Sequence, residues 1–214
     1  MATSTGKTVY LKSALLNQWF TGVAFTFPTT TYLGLLICNF NSGAASPGYW
    51  ATGIAVTAGT YVTPTTPNGH LYVCTTAGTT GSTEPTWPTG IASTVTDGTV
   101  TWTEATEYLL GINTTYPPVE VSGGGYARQS LTQGTTDWTS AAASPDNLGY
   151  QSKNAIALTY PAATANYGLV VGWELFTALT GGDGLYVGLV TTYQNVVSGN
   201  TASVPIGDMI VEEI

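Results

Sequence analysis

The 214-residue sequence predicts an all-β protein, an antiparallel β-sandwich or jelly roll with one short N-terminal helix. Three observations lead there. Charged residues make up only 7% of the chain, against roughly 25% in ordinary soluble domains. Thr, Val and Tyr, which suit a pleated and half-buried surface, fill the space together with Gly, which serves tight turns. The apolar runs are short and are interrupted by Gly, Pro, Asn and Asp.

Low charge also marks disordered chains, but those lack aromatic and branched apolar residues. Here aromatics reach 11%, so the chain has material for a core. The surface is then mostly Thr, Ser, Asn and Gly, which suits packing against copies or partners. Lys7, Lys12, Arg128 and Lys153 stand against twelve acidic residues. Phosphate binding needs clustered Lys or Arg, so nucleic acid is not expected as a partner. The acidic balance also argues against anionic membranes. Residues 1–20 lack a signal-peptide pattern, which predicts synthesis in the cytosol. Cys38 and Cys74 lie far apart and read as unpaired strand residues.

The predicted helix covers Leu11 to Phe20, where Leu11, Leu15, Leu16, Trp19 and Phe20 recur at the spacing of one helical face. Gly22 is its stop, and Pro28 lies beyond. Tyr32 to Phe40 is a continuous apolar run of strand length, with cover expected on both faces. Residues 41–48 read as a loop. Short strands are then predicted at Ile54 to Val56, Tyr61-Val62, Leu71 to Thr75 and Thr99 to Thr103. Trp50, Trp87 and Trp102 fall in the same stretch, enough for a small compact module. Tyr108 to Ile112, Pro117 to Val121 and the residues between Gly125 and Leu131 are further strand candidates. Residues 144–149 read as a loop. Asn154 to Tyr160 alternates with the period of a half-buried strand. Tyr167 to Leu179 and Leu185 to Thr192 form a hairpin, whose turn Thr180-Gly-Gly-Asp-Gly184 supplies positive φ values. Ala202 to Val211 is the last predicted strand.

Several blocks outside the central stretch resemble a phage virion protein family, tail-fibre-like and capsid-cement-like in its relatives. They are Ala14-Leu-Leu-Asn17, Pro28-Thr-Thr-Thr-Tyr-Leu-Gly-Leu35, Glu120-Val-Ser-Gly-Gly-Gly-Tyr-Ala-Arg-Gln129, Tyr160-Pro-Ala-Ala-Thr-Ala-Asn-Tyr-Gly168 and Leu175-Phe-Thr-Ala-Leu-Thr-Gly-Gly182. The middle resembles a small module of phage structural proteins, similar to carbohydrate-binding domains attached to chitinases. Its blocks are Gly59-Thr-Tyr-Val-Thr-Pro64, Asn68-Gly-His-Leu-Tyr-Val-Cys74, Gly81-Ser-Thr-Glu-Pro-Thr-Trp-Pro88 and Thr96-Asp-Gly-Thr-Val-Thr-Trp102. The resemblance implies a discontinuous particle-binding sandwich, residues 1–46 plus 107–214, carrying an inserted aromatic-rich β module at 47–106.

Catalytic readings fare poorly. Gly6-Lys-Thr8 lacks the earlier Gly and the preceding strand of a phosphate loop. His70 is the only histidine and reads as a turn residue, and two distant cysteines add no metal spacing. Glu84, Asp97, Glu104, Glu107 and Glu174 could be paired for glycoside hydrolysis, but any protein offers such carboxylates. Asp97-Gly98 and Asp183-Gly184 read as turns, and Glu212 and Glu213 as solvent-exposed. No catalytic residue, metal or cofactor is expected.

Two functions remain. The first is a capsid decoration (cement) protein on the outer head surface, made in the host bacterial cytoplasm. Its partners would be the major capsid protein or other virion proteins and copies of itself, with Leu15, Trp19, Phe20, Tyr126 and Arg128 as interface residues. The alternative is a tail or tail-fibre component contacting host surface glycans. There Trp50, Tyr61, Tyr72, Trp87 and Trp102 would stack on sugars, unless they form the core of the module, which its shortage of aliphatics favours.

Overall fold

The computed structural model describes residues 5–38, 48–105, 119–145 and 149–213. The chain opens with β1 (Thr5–Lys7), α1 (Val9–Thr21) and β2 (Thr30–Cys38). At the start of α1 the Thr8 hydroxyl accepts a hydrogen bond from the Leu11 amide at 3.2 Å, a cap for an otherwise orphaned donor. At its end Gly22 adopts φ 72°, the left-handed conformation that stops helices and that glycine adopts without strain. The stop therefore falls where the sequence places it. Leu11 is fully buried, and Leu15 packs on the same core.

The central segment contributes β3 (Ala55–Val56), β4 (Tyr61–Val62), β5 (Tyr72–Thr76), β6 (Gly78–Thr79), β7 (Thr94–Asp97) and β8 (Val100–Glu104). They form a four-stranded sheet in the order β4-β5-β8-β7 and a separate β3-β6 pair. Each of these strands pairs only with others of the same group. The tight turn between β7 and β8 runs through Gly98, at φ 60°.

The remainder supplies β9 (Val119–Glu120), β10 (Gln129–Thr132), β11 (Ala142–Ala143), β12 (Tyr150–Lys153), β13 (Leu158–Thr159), β14 (Gly168–Phe176), β15 (Gly184–Val196), β16 (Ser203–Val204) and β17 (Ile210–Glu213). The main sheet runs β1-β15-β14-β2-β10, with β9 also pairing to β2, and every pairing is antiparallel. Smaller sheets β11-β12-β17 and β13-β16 complete an all-β, sandwich-like architecture.

Alternation along β2 gives the main sheet two apolar faces. Leu33, Leu35, Trp173 and Leu175 point into the larger core with Leu158, Tyr160, Val204 and Met209. Leu36 and Cys38 belong instead to a second core with Val171, Val187 and Leu189, and there Tyr61, Leu71 and Val73 of the central segment pack. The continuous apolar run thus has cover on both sides, as its composition predicts. It starts at Thr30, and its last predicted residues, Asn39 and Phe40, lie outside the described residues, as does the candidate at Tyr108 to Ile112. Cys38 and Cys74 are buried and are not joined in a disulfide.

Three local expectations need correction. Asn154 to Tyr160 is not one strand, since Asn154 makes only an isolated bridge to Trp138 and the paired strand is confined to Leu158 and Thr159. Asn154 is fully buried, and its side-chain amide donates to the Ile156 and Pro205 carbonyls and accepts from the Met209 amide. Those bonds stand in for a ladder and turn the chain. Ala202 to Val211 divides into β16 and β17, with Pro205 and Gly207 (φ 80°) between them. Glu212 and Glu213 are not freely solvated, because both are half-buried in or beside β17. Glu213 pairs with Lys7 and accepts from the Tyr186 hydroxyl.

Candidate functional site

The helix carries two apolar faces, not the single one that its spacing predicts. Leu11 and Leu15 point into the larger core. Val9, Leu16, Trp19 and Phe20 share another side at spacings of three, four and seven residues, and Val23 follows just past the cap. Their exposures are 44% (Val9), 52% (Leu16), 71% (Trp19), 80% (Phe20) and 60% (Val23). A contiguous apolar stripe of this kind marks an interaction surface more often than an accident of packing. Beyond it the chain turns back through Phe25 and Phe27, which meet edge to face at 4.9 Å.

Phe27 also borders an open groove of about 380 Å³, walled by Trp138, Leu175, Leu185, Tyr186 and Val211. These groups come from the segments around β10, β12, β14, β15 and β17, so no sequence window displays them together. The groove escaped the sequence reading for that reason.

The other predicted interface residues sit differently. Arg128 is 8% exposed. Its guanidinium donates to both Glu120 oxygens at 2.7 Å and to the carbonyls of Ala178 and Gly181 at 2.7 Å. It lies 3.4 Å from the Phe176 ring centroid, a cation–π contact. Arg128 thus ties the β14–β15 turn to β9. The Tyr126 hydroxyl donates to Glu120 and accepts from the Leu35 amide, both at 2.9 Å, and its ring stacks on Tyr160. Burial and the Glu120 carboxylate push the Tyr126 phenol well above its ordinary range. Glu174 stands nearby on β14. Burial pushes its carboxyl up to about 7, Glu120 adds to the rise, and Arg128 opposes it.

In the central segment Tyr61 (2%), Tyr72 (0%) and Trp102 (0%) are buried, so their rings have no free face for a sugar. Trp50 and Trp87 are half-buried. Trp87 lies 4.4 Å from Tyr72 and 6.1 Å from Trp102, centroid to centroid. Asp97 organises the cluster. Its carboxylate accepts from the Trp50 indole at 2.7 Å, the Trp102 indole at 3.0 Å and the Gly81 amide at 2.7 Å. Glu84 does the same for Trp87 at 2.8 Å. Reading Asp97 as a turn residue was half the answer. It does precede Gly98, but its side chain is a buried pin, and indoles without an evident acceptor were the signal for it. His70 bonds Glu104 at 3.0 Å, and Gly6 and Lys7 lie in β1, paired to β15.

A family model described as Podophage GP4 fiber I protein gp80 matches residues 96–212, more than half of the chain. No curated protein matches it. The matched range begins in β7 and ends in β17, so it takes in the Arg128 cluster and most of the groove while leaving out α1.

Proposed function

The chain belongs to the podophage GP4 fiber I protein gp80 family, and on that footing we propose that it is a non-enzymatic component of a phage fibre on the outside of the virion. The family name favours a fibre over cement on the head. The single observation that supports an assembly role is the outward stripe of Leu16, Trp19, Phe20 and Val23, all more than half exposed. In a chain so poor in charge, such a surface is suited to a protein partner within the particle. The excess of twelve acidic over four basic residues points away from nucleic acid and anionic lipid.

In this reading residues 1–46 and 107–214 form the assembling body, and 47–106 ride as an inserted module on the outer face of the main sheet. Its aromatic cluster serves as a core, which leaves little ring surface for host glycans. Gold-labelled antibody against the protein should decorate the fibres of intact particles. Label scattered over the head would overturn the fibre assignment, and hydrolysis of cell-wall sugars by the purified protein would overturn the non-enzymatic one.

A further inference from the structure

We infer that two copies of this chain dimerise by reciprocal exchange, the α1 stripe of each seating in the Phe27–Trp138 groove of the other. This rests on the reading of α1 as an assembly surface and names what covers it.

Stripe and groove are neighbours on one surface. Val23 ends the stripe and Phe27 borders the groove. Four residues of chain span at most about 14 Å. A surface holding a projection and a recess side by side is self-complementary across a two-fold axis, so each contact occurs twice. Size favours the same arrangement. Each aromatic ring buries about 150–250 Å² when covered, so a single stripe-to-groove contact falls short of the ~800 Å² per partner of a stable interface, whereas two contacts approach it.

Charge points the same way. All twelve acidic residues lie at or beyond Glu84, so the α1 stripe brings no acidic side chain to the acid-bearing part of its partner. The charge beside the stripe is Lys12, while Asp137 adjoins the groove residue Trp138 in the turn after β10. No charged residue lines the groove itself. A copy of this chain therefore offers the apolar surface that the groove needs and a basic residue to meet Asp137.

Sedimentation of the purified full chain tests it. Wild-type protein should sediment at twice the chain mass of 22.2 kDa. Trp19→Ser/Phe20→Ser, which removes the projection, and Thr135→Trp, which fills the groove, should each sediment as single chains. All three positions are exposed, so the variants should keep the wild-type circular dichroism spectrum, and Phe20→Asp should repeat the loss with Trp19 in place. An equimolar mixture of the two variants keeps only one of the two contacts and should associate far more weakly than wild type. A monomeric wild type, a dimeric stripe or groove variant, or a mixture that associates as tightly as wild type would each overturn the exchange. Gold label on the head with the dimer intact would sink only the fibre assignment, and a monomer that labels fibres would sink only the exchange.

Discussion

The central sheet holds a buried carboxylate and the main sheet a half-buried one, and the two are held in contrasting ways. Asp97 is 3% exposed and is met by two indole N–H groups and one amide, all brought by the module's own short strands and turns. Glu174 sits beside Glu120, and the nearby cation, Arg128, is already committed to Glu120 and two carbonyls. A buried carboxylate with donors aimed at it pins its surroundings. One crowded by a second carboxylate is a titrating weakness. The small module, short of aliphatics, depends on the first device. The sandwich has long strands and a large core, and it tolerates the second.

Removing the module's largest buried ring should have the greatest effect. Trp102→Ala is expected to cost about 3–5 kcal/mol, as large core truncations do, read from urea denaturation. Because Tyr61, Leu71 and Val73 share a core with Leu36, Val171 and Leu189, the loss should appear in a single transition. Two separated transitions would break the picture of coupled regions.

Arg128→Met should come next, at about 2–3 kcal/mol. It strands Glu120 beside Glu174 and releases the Ala178 and Gly181 carbonyls; the figure is lowered because Glu120 keeps 25% side-chain exposure. Amide exchange across residues 177–183 should accelerate in this variant, and unchanged protection there would argue against the clamp.

Glu174→Gln should give the smallest change, with the opposite sign. An acid whose folded pKa lies above its unfolded value binds more protons when folded, so ionisation works against folding. For Glu174 that penalty should be absent below its ordinary pKa of 4.5, grow as pH rises to about 7, and stay constant above. The amide removes it, so the variant should be about 1–2 kcal/mol more stable than wild type at pH 8. At pH 4 the two should be nearly equal. Thermal melts across that range check the sign, and a variant less stable at pH 8 would refute the rise of the Glu174 carboxyl by burial and by Glu120.

Much of the fold was legible along the chain. Period-3.6 spacing and Gly22 placed the helix, and the glycines between Thr180 and Gly184 placed the β14–β15 hairpin. The double-faced run in β2 foretold cover on both sides. Pattern and structure part where a side chain replaces a backbone partner. Asn154 presents an alternating pattern, yet its amide diverts the chain, and no periodicity records that. The candidate surface was half legible. Trp19 and Phe20 stand out on a short helix, but sequence alone did not separate their outward face from the inward face of Leu11 and Leu15.

Local chemistry by itself determined the all-β class, the single capped helix, the tight turns and the aromatic wealth of the centre. Each is a preference of residues close together in sequence, and such preferences survive without knowledge of the rest. Tertiary structure alone decided that Asp97 would gather two tryptophans and that Arg128 would turn inward. It also decided that five distant segments would wall a groove beside an uncovered helix face. Those features depend on which strands lie side by side, and pairing across a hundred residues is set by the packing of the whole sheet.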